Sequence, residues 1–391
     1  MTERLYYSDS YLTEFRARVI AADSTGLRVA LDRTAFYPTS GGQPFDIGTL
    51  WGTSGEARVI EVLEEDGRVL HQLDAPLTVE EIEGRIDWSR RFDHMQQHTG
   101  QHLLSAVFEE LYAAPTLSFH MGAETSTIDI GAASLDPDRA ARIEDRCAEI
   151  VAQARPVTVT YEDSAAVSGL RKESQRTGTL RIVSIADLDR SACGGTHVRS
   201  TSEIGPVLIR KLEKVRGSVR VEFVCGLRAL RQARGDYRIL SDISRELSVP
   251  SERAPELLAA QKARIKMLEK SNQRLASDLA VREGRELHAS TAPDADGLRR
   301  VTRYGSIDEP MRVLAQAFAA CGSAVFLAIC QDPPSLLLAA SPDSGIHAGD
   351  RLKAALAAAG GRGGGNPTLA QGSVPSTEAL SVVTGALVLL R

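Results

Sequence analysis

The sequence predicts an α+β chain in four parts. These are a small β-barrel over residues 1–90, a metal-binding α/β part over 91–228, a helical coiled-coil stalk over 229–290, and a small α/β domain with a glycine-rich loop over 300–391. Three observations lead there. Apolar residues alternate at strand period before residue 90, take helical spacing from Asp93, and recur every seventh position between Leu258 and Leu279.

In the first part, Phe15-Arg-Ala-Arg-Val-Ile-Ala, Gly26-Leu-Arg-Val-Ala-Leu and Glu56-Ala-Arg-Val-Ile-Glu-Val-Leu read as strands of a small barrel or sheet. Between them lies a glycine-rich polar loop, Phe36-Tyr-Pro-Thr-Ser-Gly-Gly-Gln-Pro-Phe-Asp-Ile-Gly. Leu103, Leu104, Val107, Phe108 and Leu111 then mark a helix. Thr116–Ile130 reads as a strand pair, and Asp138–Ala154 as a second helix with Pro137 at its start and Pro156 past its end. Strand-like runs return at Val157–Tyr161, Leu180–Ile185, Gly205–Val215 and Val219–Val224.

Residues 227–287 are helix-prone and charged, with Pro250 and Pro255 punctuating the start of the stalk. Leu258, Ile265, Asn272 and Leu279 fall on one seam, with Leu268 and Leu275 between them. A polar Asn272 at a seam position is a device for fixing register or oligomer state, so a homodimer through the stalk is expected. Residues 288–300 read as a linker. The last part has helices at Pro310–Ala320, Asp350–Ala359 and near Thr377–Leu390, strands at Ser323–Ile329 and Ser335–Ala340, and the loop Gly360-Gly-Arg-Gly-Gly-Gly-Asn-Pro-Thr-Leu-Ala-Gln-Gly.

Hydrophobic residues are 43% of the chain and charged residues 25%, as in ordinary globular proteins. A formal net charge of −5 excludes wholesale coating of nucleic acid and leaves such contact to local basic patches. One such patch is expected at 199–228, where seven Lys/Arg face three glutamates. No charged start followed by an apolar core marks a signal peptide, and no apolar run approaches the roughly 20 residues of a membrane span. Five dispersed cysteines do not read as a disulfide framework. A reducing, cytoplasmic setting is expected.

Two short runs carry the chemistry: His98-Thr-Gly-Gln-His and Cys193-Gly-Gly-Thr-His. Four-residue spacing puts His98 and His102 on one helix face, and His94 extends that ladder by one rung. Gly194 and Gly195 let the backbone fold tightly enough for Cys193 and His197 to converge. Three imidazoles and a thiolate make a donor set that Zn²⁺ prefers. Thr99 stands where a zinc peptidase needs its glutamate, so peptidase chemistry is not expected. A filled four-ligand shell is the usual mark of a structural metal, so the residues alone leave catalytic and structural roles both open.

These two runs, with Phe36-Tyr-Pro-Thr-Ser-Gly-Gly-Gln, Thr201-Ser-Glu-Ile-Gly-Pro and Gly217-Ser-Val-Arg-Val-Glu-Phe-Val-Cys-Gly, resemble the editing domain of alanyl-tRNA synthetase and its free-standing relatives, the alanyl-tRNA editing proteins. The resemblance spans roughly residues 5–228. Asn366-Pro-Thr-Leu-Ala-Gln, in the glycine loop, resembles the C-terminal domain that the synthetase shares with Asp-His-His phosphoesterases.

The resemblance implies hydrolysis of the ester joining a wrong amino acid to tRNA(Ala), chiefly serine, with glycine also possible. It implies Zn²⁺ held by His98, His102, Cys193 and His197. Because the chain begins almost directly in the editing-like region, correction in trans is expected. His120 falls where many synthetases carry a glutamine near the metal, and Gln101 where they carry a threonine. With Gln43 these are the expected catalytic residues. Thr39, Ser40, Gly41 and Gly42 are expected to bind the amino acid, and Arg362 with Gly364 to hold a phosphate of tRNA. Two other readings remain: a non-catalytic tRNA-binding protein with a structural zinc, and a hydrolase of another acyl ester.

Overall fold

Strand-period alternation in the first ninety residues closes into a barrel. Its six strands run in the order Glu14–Ala22, Arg28–Leu31, Arg68–Leu73, Gly55–Glu65, Gly48–Gly52 and Glu81–Ile86, the last pairing with the first. Every neighbouring pair is antiparallel. Inward residues fill the interior, among them Phe15, Leu31, Leu50, Val59, Val62, Leu73 and Ile86. Gly84 is required there, because a Cβ on it would sit 2.5 Å from the Phe15 ring. His71 is fully buried in this core, 2.8 Å from Thr34 Oγ1, and burial pushes its pKa down to about 4.

The computed structural model describes residues 1–53, 55–77 and 80–388, in two compact units, Met1–Asp242 and Ile243–Arg391. The first unit adds to the barrel the long helix Trp88–Tyr112. It begins before the Asp93 expected from periodicity, because the Asp87 side chain caps it by accepting from the Arg90 N–H. Its Met95, Leu103, Leu104, Val107 and Phe108 join Ile143 and Ile150 of the helix Pro137–Ala152 and Ile128, Val221 and Phe223 of a sheet. That four-stranded antiparallel sheet runs Val207–Val215, Ser218–Cys225, Ser126–Ile130, Thr116–Met121. A second sheet, Val157–Asp163, Thr179–Ile185, Asp189–Ala192, delivers the chain to Cys193.

The helix Gly226–Leu247 crosses the division between the units. In the second unit, the helix Ala254–Ser290 has Pro255 in its first turn. Its seam is open to solvent: Leu258, Ile265, Leu268, Leu275 and Leu279 are between 46% and 64% exposed. Ala254 at its start and Ala280 and Gly284 toward its end are buried, and Gly284 lets the helix Glu309–Ala319 approach closely.

A five-stranded sheet completes this unit in the order Arg299–Tyr304, Ala324–Gln331, Pro334–Ala340, Leu369–Ser373, Arg362–Gly365, with the first pair parallel. Its helices are Glu309–Ala319, Ala348–Ala358 and Thr377–Val388. Residues 389 and 390 of the expected closing helix lie outside the described residues.

Two expectations are corrected here. The linker expected over 288–300 is shorter than expected: the helix runs on to Ser290 and a strand begins at Arg299, leaving 291–298 between them. The glycine loop is a β-hairpin: a Cβ on Gly363 would stand 2.5 Å from Leu356 Cδ1, and one on Gly365 2.1 Å from the Leu369 carbonyl oxygen. Those glycines permit backbone-close packing of paired strands. Among the described residues no helix is long and apolar enough to cross a membrane.

Candidate metal centre

The helix Trp88–Tyr112 presents His98 and His102 one turn apart, their ring centroids 5.4 Å from each other. Gly100, on the far side, sits over Cys225, where a Cβ would lie 2.2 Å from its sulfur. The turn after Asp189–Ala192 brings Cys193 and His197 to the same place. Cys193 Sγ lies 3.4 Å from His98 Nε2 and 3.3 Å from His197 Nε2. All four ligand atoms fall within 4.8 Å of one another. Around a tetrahedral ion with bonds near 2.0 and 2.3 Å, donors stand roughly 3.3–3.6 Å apart. The residues therefore fit a metal ion of that kind.

Each imidazole has its other nitrogen engaged. His98 Nδ1 donates to Gln43 Oε1 at 2.8 Å, and His102 Nδ1 donates to Asp189 Oδ2 at 2.8 Å. His197 Nδ1 is 3.1 Å from Thr99 Oγ1. Committing Nδ1 turns each ring so that Nε2 faces the centre with its lone pair, the arrangement metal-binding histidines require. Gln43 also joins the two halves of the site. Its Oε1 accepts from the Thr196 N–H at 3.1 Å, and its Nε2 donates to Thr196 Oγ1 at 2.9 Å. Arg171 in turn holds Asp189, with Nε 2.7 Å from Oδ1.

Electrostatics favour ligation by sulfur. Burial resists ionisation of Cys193, yet His98 and His197 outweigh it and hold the thiol well below its usual range. Burial also opposes charge on His102, but Asp189 and Cys193 raise it to about 9. Burial leaves His197 at about 3.

Beside the four ligands opens a cavity of about 930 Å³. Ser40, Gly41, His98, Gln101, His102, Phe119 and Cys193 are among the residues that line it. Gln101 Nε2 donates to Ser105 Oγ at 2.8 Å, which leaves its carbonyl oxygen for the cavity.

Several expected site residues are placed differently. His120 is exposed and is not among the cavity-lining residues, whereas its neighbour Phe119 is, with its ring centroid 5.4 Å from that of His98. Gln43 is fully buried, bonded to His98 Nδ1, and is not among the cavity-lining residues. Thr39 is exposed and Gly42 packs on Phe119; neither is among the cavity-lining residues. Arg362 and Gly364 lie in the second unit's hairpin. His94 is buried but apart from the four ligands, and its Nδ1 has no partner among the described residues.

The basic patch at 199–228 is mostly neutralised. Arg199, Arg210, Lys211, Arg220 and Arg228 are paired with Asp9, Asp236, Glu213, Asp129 and Asp93. Reading the sequence missed Asp189, Thr99 and Arg171. The available signal was Asp189 itself, a carboxylate just before the Cys193 run.

The comparisons accord with this geometry. Residues 180–222 match the family described as "Threonyl and Alanyl tRNA synthetase second additional domain", and residues 10–90 match "tRNA synthetases class II (A)". Alanyl-tRNA editing protein AlaX-L of Pyrococcus horikoshii is 34% identical over 269 residues, 66% of this chain and 66% of its own. Alanine–tRNA ligase of Pyrococcus abyssi is 30% identical over 95% of this chain, which spans only 42% of that enzyme. The editing protein Aarsd1 of Bos taurus is 30% identical over 80% of this chain and 73% of its own. The match extends across most of the bovine protein and both halves of the metal centre fall inside the first unit, so this chain belongs to the alanyl-tRNA editing protein family.

Proposed function

We propose that this chain hydrolyses the aminoacyl ester of mischarged tRNA(Ala) in trans, seryl-tRNA(Ala) first among its substrates, with Zn²⁺ at His98, His102, Cys193 and His197. The observation that carries the reading is a four-ligand cluster opening onto a cavity beside it, in a chain similar to proteins named for editing alanyl-tRNA. Bound Zn²⁺ would supply Lewis acidity toward the ester carbonyl or ease ionisation of a water.

The chain's own residues do the sorting. Gln101, its amide bonded to Ser105, and Ser40, on the glycine-rich turn, both line the cavity as polar groups. A pocket that hydrogen-bonds a substrate hydroxyl rejects the analogue lacking it by roughly 10⁴-fold or more, because its buried polar groups would be left unpaired. That logic separates serine from alanine. We assign the work to the first unit's barrel and metal-binding parts. The exposed seam of Ala254–Ser290 suits pairing with a second copy, and a monomer by sedimentation at micromolar concentration would end that assignment.

The deciding experiment is deacylation of seryl-tRNA(Ala) by purified protein, with and without chelator, against alanyl-tRNA(Ala). Faster loss of the seryl ester, abolished by chelation, supports the reading. An ester half-life equal to that in buffer removes it. The complete four-ligand set favours one alternative, a tRNA-binding protein with a structural zinc, which predicts tRNA binding without cleavage.

A further inference from the structure

The segment between the strands Val157–Asp163 and Thr179–Ile185 has no regular structure, yet it is tied down at both ends and in the middle. Its neck closes where Ser164 N donates to the Gly178 carbonyl at 2.8 Å and Gly178 N to Ser164 Oγ at 3.0 Å. Near its middle, Arg171 N donates to the Arg190 carbonyl at 2.8 Å, and the Arg171 side chain reaches Asp189 and Ser191. This is an Ω-loop, a form often used for function. Its middle is bonded to the carboxylate that orients a metal ligand.

The loop places two cations, Lys172 and Arg176, and one carboxylate, Glu173, on the cavity wall. Lys172 and Arg176 line the cavity and have no acidic partner among the described residues. Arg181 lines it too. The residue is 9% exposed, its Nη1 donates to the carbonyls of Cys193 and Gly195, its Nε to the Tyr7 carbonyl, and its Nη2 has no partner among the described residues. A buried donor left without an acceptor is costly unless a ligand brings one. Rings accompany these charges: Tyr161, which is 55% exposed, lines the cavity, and so does Tyr7, with the guanidinium groups of Arg4 and Arg181 each 5.4 Å from its ring centroid. Cationic groups beside exposed rings are the means by which proteins hold single-stranded nucleic acid.

We propose that the loop 164–178 is the seat for the single-stranded end of the nucleic acid. Lys172 and Arg176 take its phosphates, Tyr7 and Tyr161 face its bases, and Arg171 sets the loop's distance from the metal through Asp189 and His102. The proposal rests on the function proposed above for the same cavity. It moves the contact surface from the paired charges of 199–228 to residues that no pattern in the sequence singled out.

The test uses a labelled single-stranded RNA ending in CCA, bound to the full chain between 50 and 200 mM salt. Each phosphate contact on a single strand contributes about 0.7 to the slope of log K against log salt. Lys172→Ala/Arg176→Ala is expected to flatten the slope by about 1.4 with metal content unchanged. A slope equal to wild type overturns the proposal. So does an equal flattening by Lys214→Ala/Arg216→Asn, on the other basic stretch.

Arg171→Gln is expected to bind the RNA more weakly and to lose metal to a chelator about 10-fold more readily. Metal retention equal to wild type would refute the link through Asp189. These readouts need no ester. Failure to cleave seryl-tRNA(Ala) with the RNA results intact would therefore strike the proposed function alone.

Discussion

Gln43 Oε1 lies 2.8 Å from His98 Nδ1, so a residue of the barrel's glycine-rich turn orients a histidine of the long helix. The same amide is bonded twice to Thr196, beside the fourth ligand. Gln43→Ala should therefore loosen both halves of the centre. Loss of such a supporting bond typically costs 10–100-fold in metal affinity. Competition titration against a chelator measures this, and an affinity equal to wild type would show that His98 is held by other means.

The two glycines of the Cys193 run should behave differently. A Cβ on Gly195 would stand 2.1 Å from His98 Cε1 and 2.4 Å from its Nδ1, whereas one on Gly194 meets nothing closer than the Tyr7 hydroxyl at 3.4 Å. Gly195→Ala is expected to abolish stoichiometric metal, and Gly194→Ala to keep it. Elemental analysis of the two purified variants distinguishes them, and equal metal contents would contradict the packing.

Arg91 and Asp46 form an ion pair with neither side chain exposed, and Arg91 also donates to the carbonyls of Ser10 and Ala35. Removing one partner strands a buried charge, at a cost of about 3–5 kcal/mol. Asp46→Asn and Arg91→Met should each lower the urea midpoint sharply. The double variant Arg91→Met/Asp46→Leu should recover part of the loss. If both single variants unfold at the wild-type midpoint, the pair contributes nothing.

Acid should weaken the barrel through His71. Its folded pKa of about 4 lies below the ordinary value of 6.5, because burial penalises its charged form. The unfolded chain then binds the extra proton between those values, so stability falls as pH drops from 6.5 toward 4, by up to about 3 kcal/mol. The melting temperature of His71→Asn should vary less with pH across that window than that of wild type. Parallel curves would mean that other groups carry the acid sensitivity.

The metal ligands were legible in the sequence because each pair sits at four-residue spacing, a distance that local geometry fixes. The supports Asp189 and Thr99 were not, since they meet the imidazoles only through tertiary folding, and Gln43 stood out only as a catalytic candidate. The exposed place of His120 was not legible for a related reason: it is set by how the strand Thr116–Met121 pairs within its sheet. Arg199 and its neighbours looked like a surface for phosphates because their acidic partners Asp9, Asp93 and Asp129 lie far away in the chain. In the second unit, the runs rich in apolar residues were recognised. The strands Arg299–Tyr304 and Arg362–Gly365 were not, because arginine and glycine carry no strand signal.

The barrel's hold on the long helix has a practical consequence for cloning. A boundary near residue 90, natural from composition, would remove Asp46 from under Arg91 and Gln43 from behind His98 while leaving every ligand in the expressed fragment. Such a fragment would carry an intact motif and a crippled centre. A negative assay on it would say nothing about the parent protein.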